Sequence, residues 1–388
     1  MLHALSEKCL PVLKKEPMLT VSLLAAIVAL FITPPSARLL ADIDWRTLGT
    51  LFLMLSILEG FKQENVFLPF LKLAGSLGSL VGLSLFLVFS VFFSSMFVTN
   101  DVSLIIFVPL TILLFRAGKE ERFILPLLTF ENIAAVRGSL LTPFGSPQNL
   151  FIFSRSNVTA WQFIRFMFPI WILSAILLIA FILFLHRKNL KGQMVISETA
   201  FTAGESQGTV WKRNMYLALF AVVIWMIVSR TFLWIWVVVL VSAVLLVFDR
   251  GILKKTDYVL LLTFLCFFIF SSSIAANESI AAFLKQMVTG REYAVSILVS
   301  QLISNVPAAI VLYPFSENIG ALLYGLDSAG HCSLIGSLAS VINYRIYVRE
   351  YPKNGLSFIK VFTLISWAFF LFVVIPGYLI SRGGIPLS

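Results

Sequence analysis

Val98-Thr99-Asn100-Asp101, with Pro109 behind it, is followed by Ser139-Leu140-Leu141-Thr142-Pro143-Phe144-Gly145-Ser146-Pro147-Gln148-Asn149. Roughly two hundred residues later Ile303-Ser304-Asn305-Val306-Pro307, with Pro314 behind it, is followed by Ser333-Leu334-Ile335-Gly336-Ser337-Leu338-Ala339-Ser340-Val341-Ile342-Asn343. The two stretches read as one device written twice. Small, polar and helix-breaking residues interrupt otherwise apolar segments, and in lipid such backbone is tolerated only where it lines a cavity or is buried in protein. A duplicated pair of interruptions is a pointer to the binding site of a carrier built from repeats.

The surroundings agree. Hydrophobic residues make up 59% of the 388-residue chain and charged residues 12%, against about 25% charged in soluble domains. That composition describes a multi-span membrane protein. Residues 1–17 carry Lys8, Lys14 and Lys15 without a small-residue cleavage site, so the apolar run Met18–Thr33 reads as a retained span. The net charge of +10 falls in short loops beside spans: Arg116, Lys119 and Arg122; His186 to Lys191 with Lys212 and Arg213; Arg250, Lys254 and Lys255; Arg345, Arg349 and Lys353. That placement marks cytoplasmic faces rather than a nucleic-acid surface. Cys9, Cys266 and Cys332 lack paired or metal-ligand spacing, His3, His186 and His331 are scattered, and no phosphate-cradling loop is present. With no nucleophile–base pair or metal cluster, an enzyme is not expected, nor any cofactor beyond a coupling sodium ion or proton.

A crossing takes about 20 apolar residues. On that measure the chain divides into a cytoplasmic N-terminus (1–17), a first membrane repeat (18–186), a linker (187–213), a connecting span (214–229) and a second repeat (230–382). Residues 77–115 and 293–318 read as re-entrant hairpins, 123–153 and 325–348 as broken transmembrane helices. Glu64–Ala74 and Ile280–Val288 are too short to span and read as interfacial pieces. The halves align: Asp44-Trp45 with Asp257-Tyr258, Thr99-Asn100 with Ser304-Asn305, Ser139 with Ser333, Asn149 with Asn343, and Arg137 with His331. Each half holds four crossings and a hairpin, so the connecting span turns the second half over. The expected fold is an all-α polytopic protein of inverted-topology repeats in the inner (cytoplasmic) membrane, its N-terminus cytoplasmic and its C-terminus outside.

A helix broken near the midplane offers free N–H groups to anions and free C=O groups to cations. The expected site therefore gathers Thr99, Asn100, Asp101, Ser304 and Asn305 at the tips with Gly145, Ser146, Asn149, Ser340 and Asn343 at the breaks. Asp101 is an intramembrane acid able to ligate sodium, carry a proton, or pair with Arg137; a sodium ion is expected near Asn100, Asp101 and Asn305. Arg137 lies deep in its segment, either as a bidentate clamp for an oxyanion or paired with Glu131 or Asp101. Asp327, beside the second broken span, reads as hydrated. The expected function is secondary transport of a small anion; a sodium/proton antiporter built on Asp101, Glu131 and Asp327 is the alternative, and a channel or scaffold a further one.

Thr-Asn-Asp at one tip, Gly-Ser-Pro-Gln-Asn, Ser-Asn-Val-Pro at the other tip and Ile-Gly-Ser-Leu-Ala-Ser, in that order, resemble the ion transporter superfamily. The resemblance is nearest to its citrate-transporter-like and arsenite-permease-like branch, related to divalent-anion/sodium symporters, and runs from about Met18 to Ile380. It implies sodium- or proton-coupled transport of a carboxylate or inorganic oxyanion, usually by a homodimer with an elevator-like moving domain. It puts Gly145–Asn149 and Gly336–Asn343 at the breaks. The dicarboxylate carriers of the superfamily have Ser-Asn-Thr at both tips; here the tips are Thr-Asn-Asp and Ser-Asn-Val, and the second break has no Pro-Pro-Asn ending.

Overall fold

A computed structural model describes residues 16–34, 37–64, 66, 77–189, 192 and 209–382. The lysine-bearing N-terminus, nearly all of Glu64–Ala74 and most of the linker lie outside the described residues. What is described is helical, with no strand.

The first half runs α1 (Pro17–Ile32), a short α2 (Ala37–Asp42), α3 (Trp45–Gln63), α4 (Leu80–Val98), α5 (Asn100–Ala117), α6 (Ile124–Ser139), α7 (Pro147–Arg155) and α8 (Ala160–Leu185). After α9 (Val210–Ser229) come α10 (Trp234–Lys255), α11 (Tyr258–Ala276), α12 (Glu278–Val288), α13 (Glu292–Ile303), α14 (Asn305–Leu312), α15 (Ile319–Ala329), α16 (Leu338–Glu350) and α17 (Gly355–Arg382). Among the described residues seven helices, α4, α5, α8, α9, α10, α11 and α17, are long and apolar enough to cross a bilayer. Their outward faces are apolar: Trp236, Val247, Leu364 and Ile375 are 64–74% exposed, a surface suited to lipid and not to water. The protein is an all-α polytopic membrane protein.

Helix starts follow local chemistry. Asp44 Oδ1 accepts the Thr47 N–H at 2.9 Å to cap α3, and Asp257 Oδ1 accepts the Leu260 N–H at 3.0 Å to cap α11, so the aligned Asp44 and Asp257 perform the same task. Asn318 caps α15 through the Ala321 N–H at 2.9 Å, which starts that helix at Ile319, ahead of the expected residue 325. The short α2 has no counterpart in the sequence reading.

The helices pack in two groups. One is α1 against α11 and α3 against α9 and α10. Gly60 lets α3 approach Tyr216 of α9 closely, and the Tyr216 hydroxyl donates to Asp249 Oδ2 at 3.1 Å at a kink in α10. The other group holds the segments expected as hairpins and broken helices, with α4 and α5 against α6, α13 against α15, and α17 against α6 and α15. Between its halves the arms cross over: α7 packs against α14, and α16 against α5 and α6. Everything singled out at the tips and breaks is positioned by that second group.

Candidate substrate and ion site

One residue closes each hairpin. Thr99 joins α4 to α5 with φ 69° and ψ 156°; Ser304 joins α13 to α14 with φ 72° and ψ 157°. That corner of backbone space is nearly reserved for glycine and costs an L-residue about 1–3 kcal/mol. The same strained conformation at two points 205 residues apart is a repeated design. It turns the chain within a single residue, so α5 and α14 start where α4 and α13 end, and helix ends of opposite polarity meet at each tip. The next residue is buried in each case, Asn100 at 4% and Asn305 at 1% exposure. Asn100 Oδ1 accepts the Asp101 N–H at 3.0 Å. The Asn305 N–H donates to the Gly336 carbonyl at 3.0 Å, fastening the second tip to the second break. Asp101 is half-buried with Oδ1 unpartnered.

The breaks also repeat. Ser146 (φ −147°, ψ 153°) caps α7 and Ser337 (φ −148°, ψ 145°) caps α16. A side chain on Gly145 would collide with the Ser139 carbonyl, and one on Gly336 with that of Ala329, so each glycine lets the chain double back over the end of the first arm. This registers Gly145 with Gly336 and Ser146 with Ser337. Asn149 then corresponds to Ser340, each the third residue of its arm, and not to Asn343 as the sequence alignment has it. The partner of Arg137 changes too. Arg137 and Asp327 each stand two residues from the end of the first arm, so Asp327 and not His331 is the counterpart.

These two meet. Arg137 Nη1 donates to the Asp327 backbone carbonyl at 3.3 Å, and Gln148 Nε2 donates to Asp327 Oδ1 at 3.2 Å. Arg137 is 0% and Asp327 1% exposed, so Asp327 is dry where the sequence reading has it hydrated. Neither Glu131 nor Asp101 pairs with the arginine; Glu131 Oε1 accepts the Thr111 hydroxyl instead. Arg137 Nε and Nη2, Asp327 Oδ2, Gln148 Oε1 and both ring nitrogens of His331 are buried without a partner. Buried polar atoms left unpaired cost about 1–3 kcal/mol each, more when charged, so such a cluster is suited to a polar guest.

The second arms are held by their own amides. Asn149 Nδ2 lies 3.4, 3.3 and 3.4 Å from the carbonyls of Ser139, Leu140 and Thr142, gathering the loose end of α6. Asn132 Nδ2 donates to Ser340 Oγ at 3.0 Å, and Asn343 Nδ2 to the Leu128 carbonyl at 2.6 Å. Through these contacts Ser340 and Asn343 lock α16 to α6 of the other half. Gln301 spans the second break: Nε2 donates to the Ala329 carbonyl at 3.1 Å and Oε1 accepts from Ser333 at 2.6 Å. Gln148, Asn132 and Gln301 are not singled out as site residues in the sequence, and Asp327 enters there only through the antiporter alternative. A signal existed for Gln148, which sits inside the quoted motif, and for Asp327, a carboxylate in an apolar stretch. Chemically, helix N-termini and the Arg137 guanidinium attract negative charge, while carbonyl ends, Asp101 and Asp327 attract positive charge.

The sequence profile of the family described as "Citrate transporter" matches residues 9–333. The chain is 29% identical over 305 residues to "Uncharacterized transporter MJ0456" of Methanocaldococcus jannaschii, covering 78% of this chain and 81% of the relative. It is also 29% identical over 313 residues to "Inner membrane protein YbiR" of Escherichia coli, covering 79% and 81%.

Proposed function

The chain belongs to the citrate transporter family, and from that premise we propose that it is a secondary active carrier of a small anion, a carboxylate or an inorganic oxyanion, coupled to sodium or protons. It is a multi-pass membrane transporter. The observation that carries the finer reading is the duplicated strained tip, Thr99 and Ser304, each followed by a buried asparagine within a group that also holds both breaks. Strain of this kind persists only where surrounding structure enforces it, and it gathers at ligand clamps.

In this reading the anion sits against the N-termini of α7 and α16 and the free Arg137 N–H groups. The coupling cation sits among carbonyls and amides at the tips, near Asn100, Asp101 and Asn305. The hairpins are re-entrant, the halves are inverted, and the group of α4–α8 with α13–α17 slides as a unit against α1, α3 and α9–α11, in a homodimer of the inner membrane with a cytoplasmic N-terminus. Amphipathic α12 serves as a flexible arm between the two groups. A sodium/proton antiporter is the second reading, supported by the fully buried carboxylates Glu131 and Asp327.

The test is purified protein on a solid-supported membrane, challenged with citrate, smaller carboxylates and oxyanions, with and without a sodium gradient and across pH. An anion-dependent current that needs either gradient supports the carrier. Proton movement driven by sodium with no anion present supports the antiporter and overturns the carrier.

A further inference from the structure

Away from the tips, a cavity of about 700 Å³ opens between the start of α6, the end of α8 and the middle of α17. That is within the roughly 300–1,000 Å³ range of small-ligand pockets. Its rim is cationic, with Arg122, Arg187 and Lys188; its wall is apolar, with Phe130, Phe181 and Ala368. The rim is ordered by stacking: the Arg187 guanidinium lies 4.3 Å from the Phe184 ring centroid, and that of Arg122 lies 4.7 Å from Phe123. Among the described residues neither Arg187 nor Lys188 has a carboxylate within salt-bridge distance, while Arg122 shares its charge with Glu120 at 2.9 Å. Phe130 and Phe181 lie about two turns and one turn into their helices from the basic loops, so the apolar wall starts a short way inward of the cationic rim.

We propose that this cavity between α6, α8 and α17 binds one anionic phospholipid, its phosphate on Arg187 and Lys188 and one acyl chain along Phe130, Phe181 and Ala368. Basic pockets between transmembrane helices suit such headgroups. A zwitterionic lipid brings its own ammonium to a rim that already carries excess positive charge. A second copy of the chain is disfavoured by the same arithmetic, because a two-fold contact on this face sets like charges against each other. All three walls belong to the group that holds the tips and breaks, so a bound lipid travels with that group or anchors it. The inference does not depend on which anion the carrier moves.

Full-length protein in neutral detergent is titrated with phosphatidylglycerol, with phosphatidylcholine of the same chains and with glycerol phosphate, and read by thermal midpoint and native mass spectrometry. Phosphatidylglycerol is expected to raise the midpoint and remain bound, and the other two to do neither. Arg187→Gln with Lys188→Gln is expected to weaken phosphatidylglycerol about thirty-fold, the factor given by two surface cations of ordinary strength. Ala368→Phe, which fills the slot and keeps every cation, is expected to shed the lipid as well. An equal response to phosphatidylcholine, or wild-type binding by the double variant, overturns the proposal. So does a double variant that changes the monomer–dimer balance and leaves lipid binding untouched, which assigns the face to a second copy. The headgroup comparison on the unmodified protein decides even if a variant does not fold.

Discussion

Arg137 and Asp327 each stand two residues before the last residue of their helix, α6 and α15, and touch through the 3.3 Å bond from the guanidinium to the Asp327 carbonyl. Opposite charges at matching places in two contacting helices neutralise the centre between them. They do so without pairing carboxylate and guanidinium oxygen to nitrogen, so Nε, Nη2 and Oδ2 stay unused.

Arg137→Gln takes away the guanidinium that holds the buried Asp327 carbonyl and leaves a buried carboxylate with no cation close by, and buried polar groups left unmatched cost about 1–3 kcal/mol each, more when charged. Arg137→Gln is expected to lower the thermal midpoint in detergent and abolish transport in proteoliposomes. Adding Asp327→Asn is expected to recover most of the stability and none of the transport. A double variant no more stable than the single one would show that the two charges do not sense each other.

Asn100→Ala and Asn305→Ala are expected to abolish substrate-dependent current while the protein remains monodisperse with a midpoint near that of the wild type. Wild-type currents in both would remove the tips from the site.

Thr99→Gly and Ser304→Gly relax a backbone that glycine adopts freely, a gain of up to about 1–3 kcal/mol offset in part by the roughly 1 kcal/mol entropic cost of glycine. Unfolding midpoints are expected to hold or rise, and transport to fall because the hydroxyls are lost. A clear drop in stability at both positions would contradict the strained geometry.

Gly145→Ala and Gly336→Ala drive a methyl into the carbonyls of Ser139 and Ala329. Overpacking of this kind costs about 1–3 kcal/mol. Both variants are expected to express poorly or aggregate in size-exclusion chromatography, and Gly78→Ala, whose added methyl meets nothing within 4 Å, to behave as wild type.

Much of this architecture is legible in the residues. Asp44 and Asp257 announce helix starts because a carboxylate before an apolar run caps locally, and Thr99 and Ser304 stand at turns because polar residues interrupt apolar helices. The register across the breaks is not legible. The first break runs from Leu140 to Ser146 and the second from Gly330 to Ser337, one residue longer, and matching Ser139-Leu140 with Ser333-Leu334 follows letters where backbone angles decide. Ser146 and Ser337 are equivalent because their φ and ψ agree, which sequence does not display. Asp327 was misjudged for a related reason: its dryness comes from Gln148 and Arg137, which arrive from the other half of the chain.

The crossing of arms sets an order of assembly in time. The Asn100–Ala117 helix enters the membrane and waits for the Leu338–Glu350 helix that packs against it, about 220 residues further along the chain. At about 5–20 residues per second the interval is roughly 10–45 s. For most of it, Arg137 sits in a nascent half whose partner Asp327 has yet to be translated. The newborn chain therefore passes through a stage in which its most polar interior has no protein to face, and completion depends on whatever shelters that surface until the last quarter of the polypeptide leaves the ribosome.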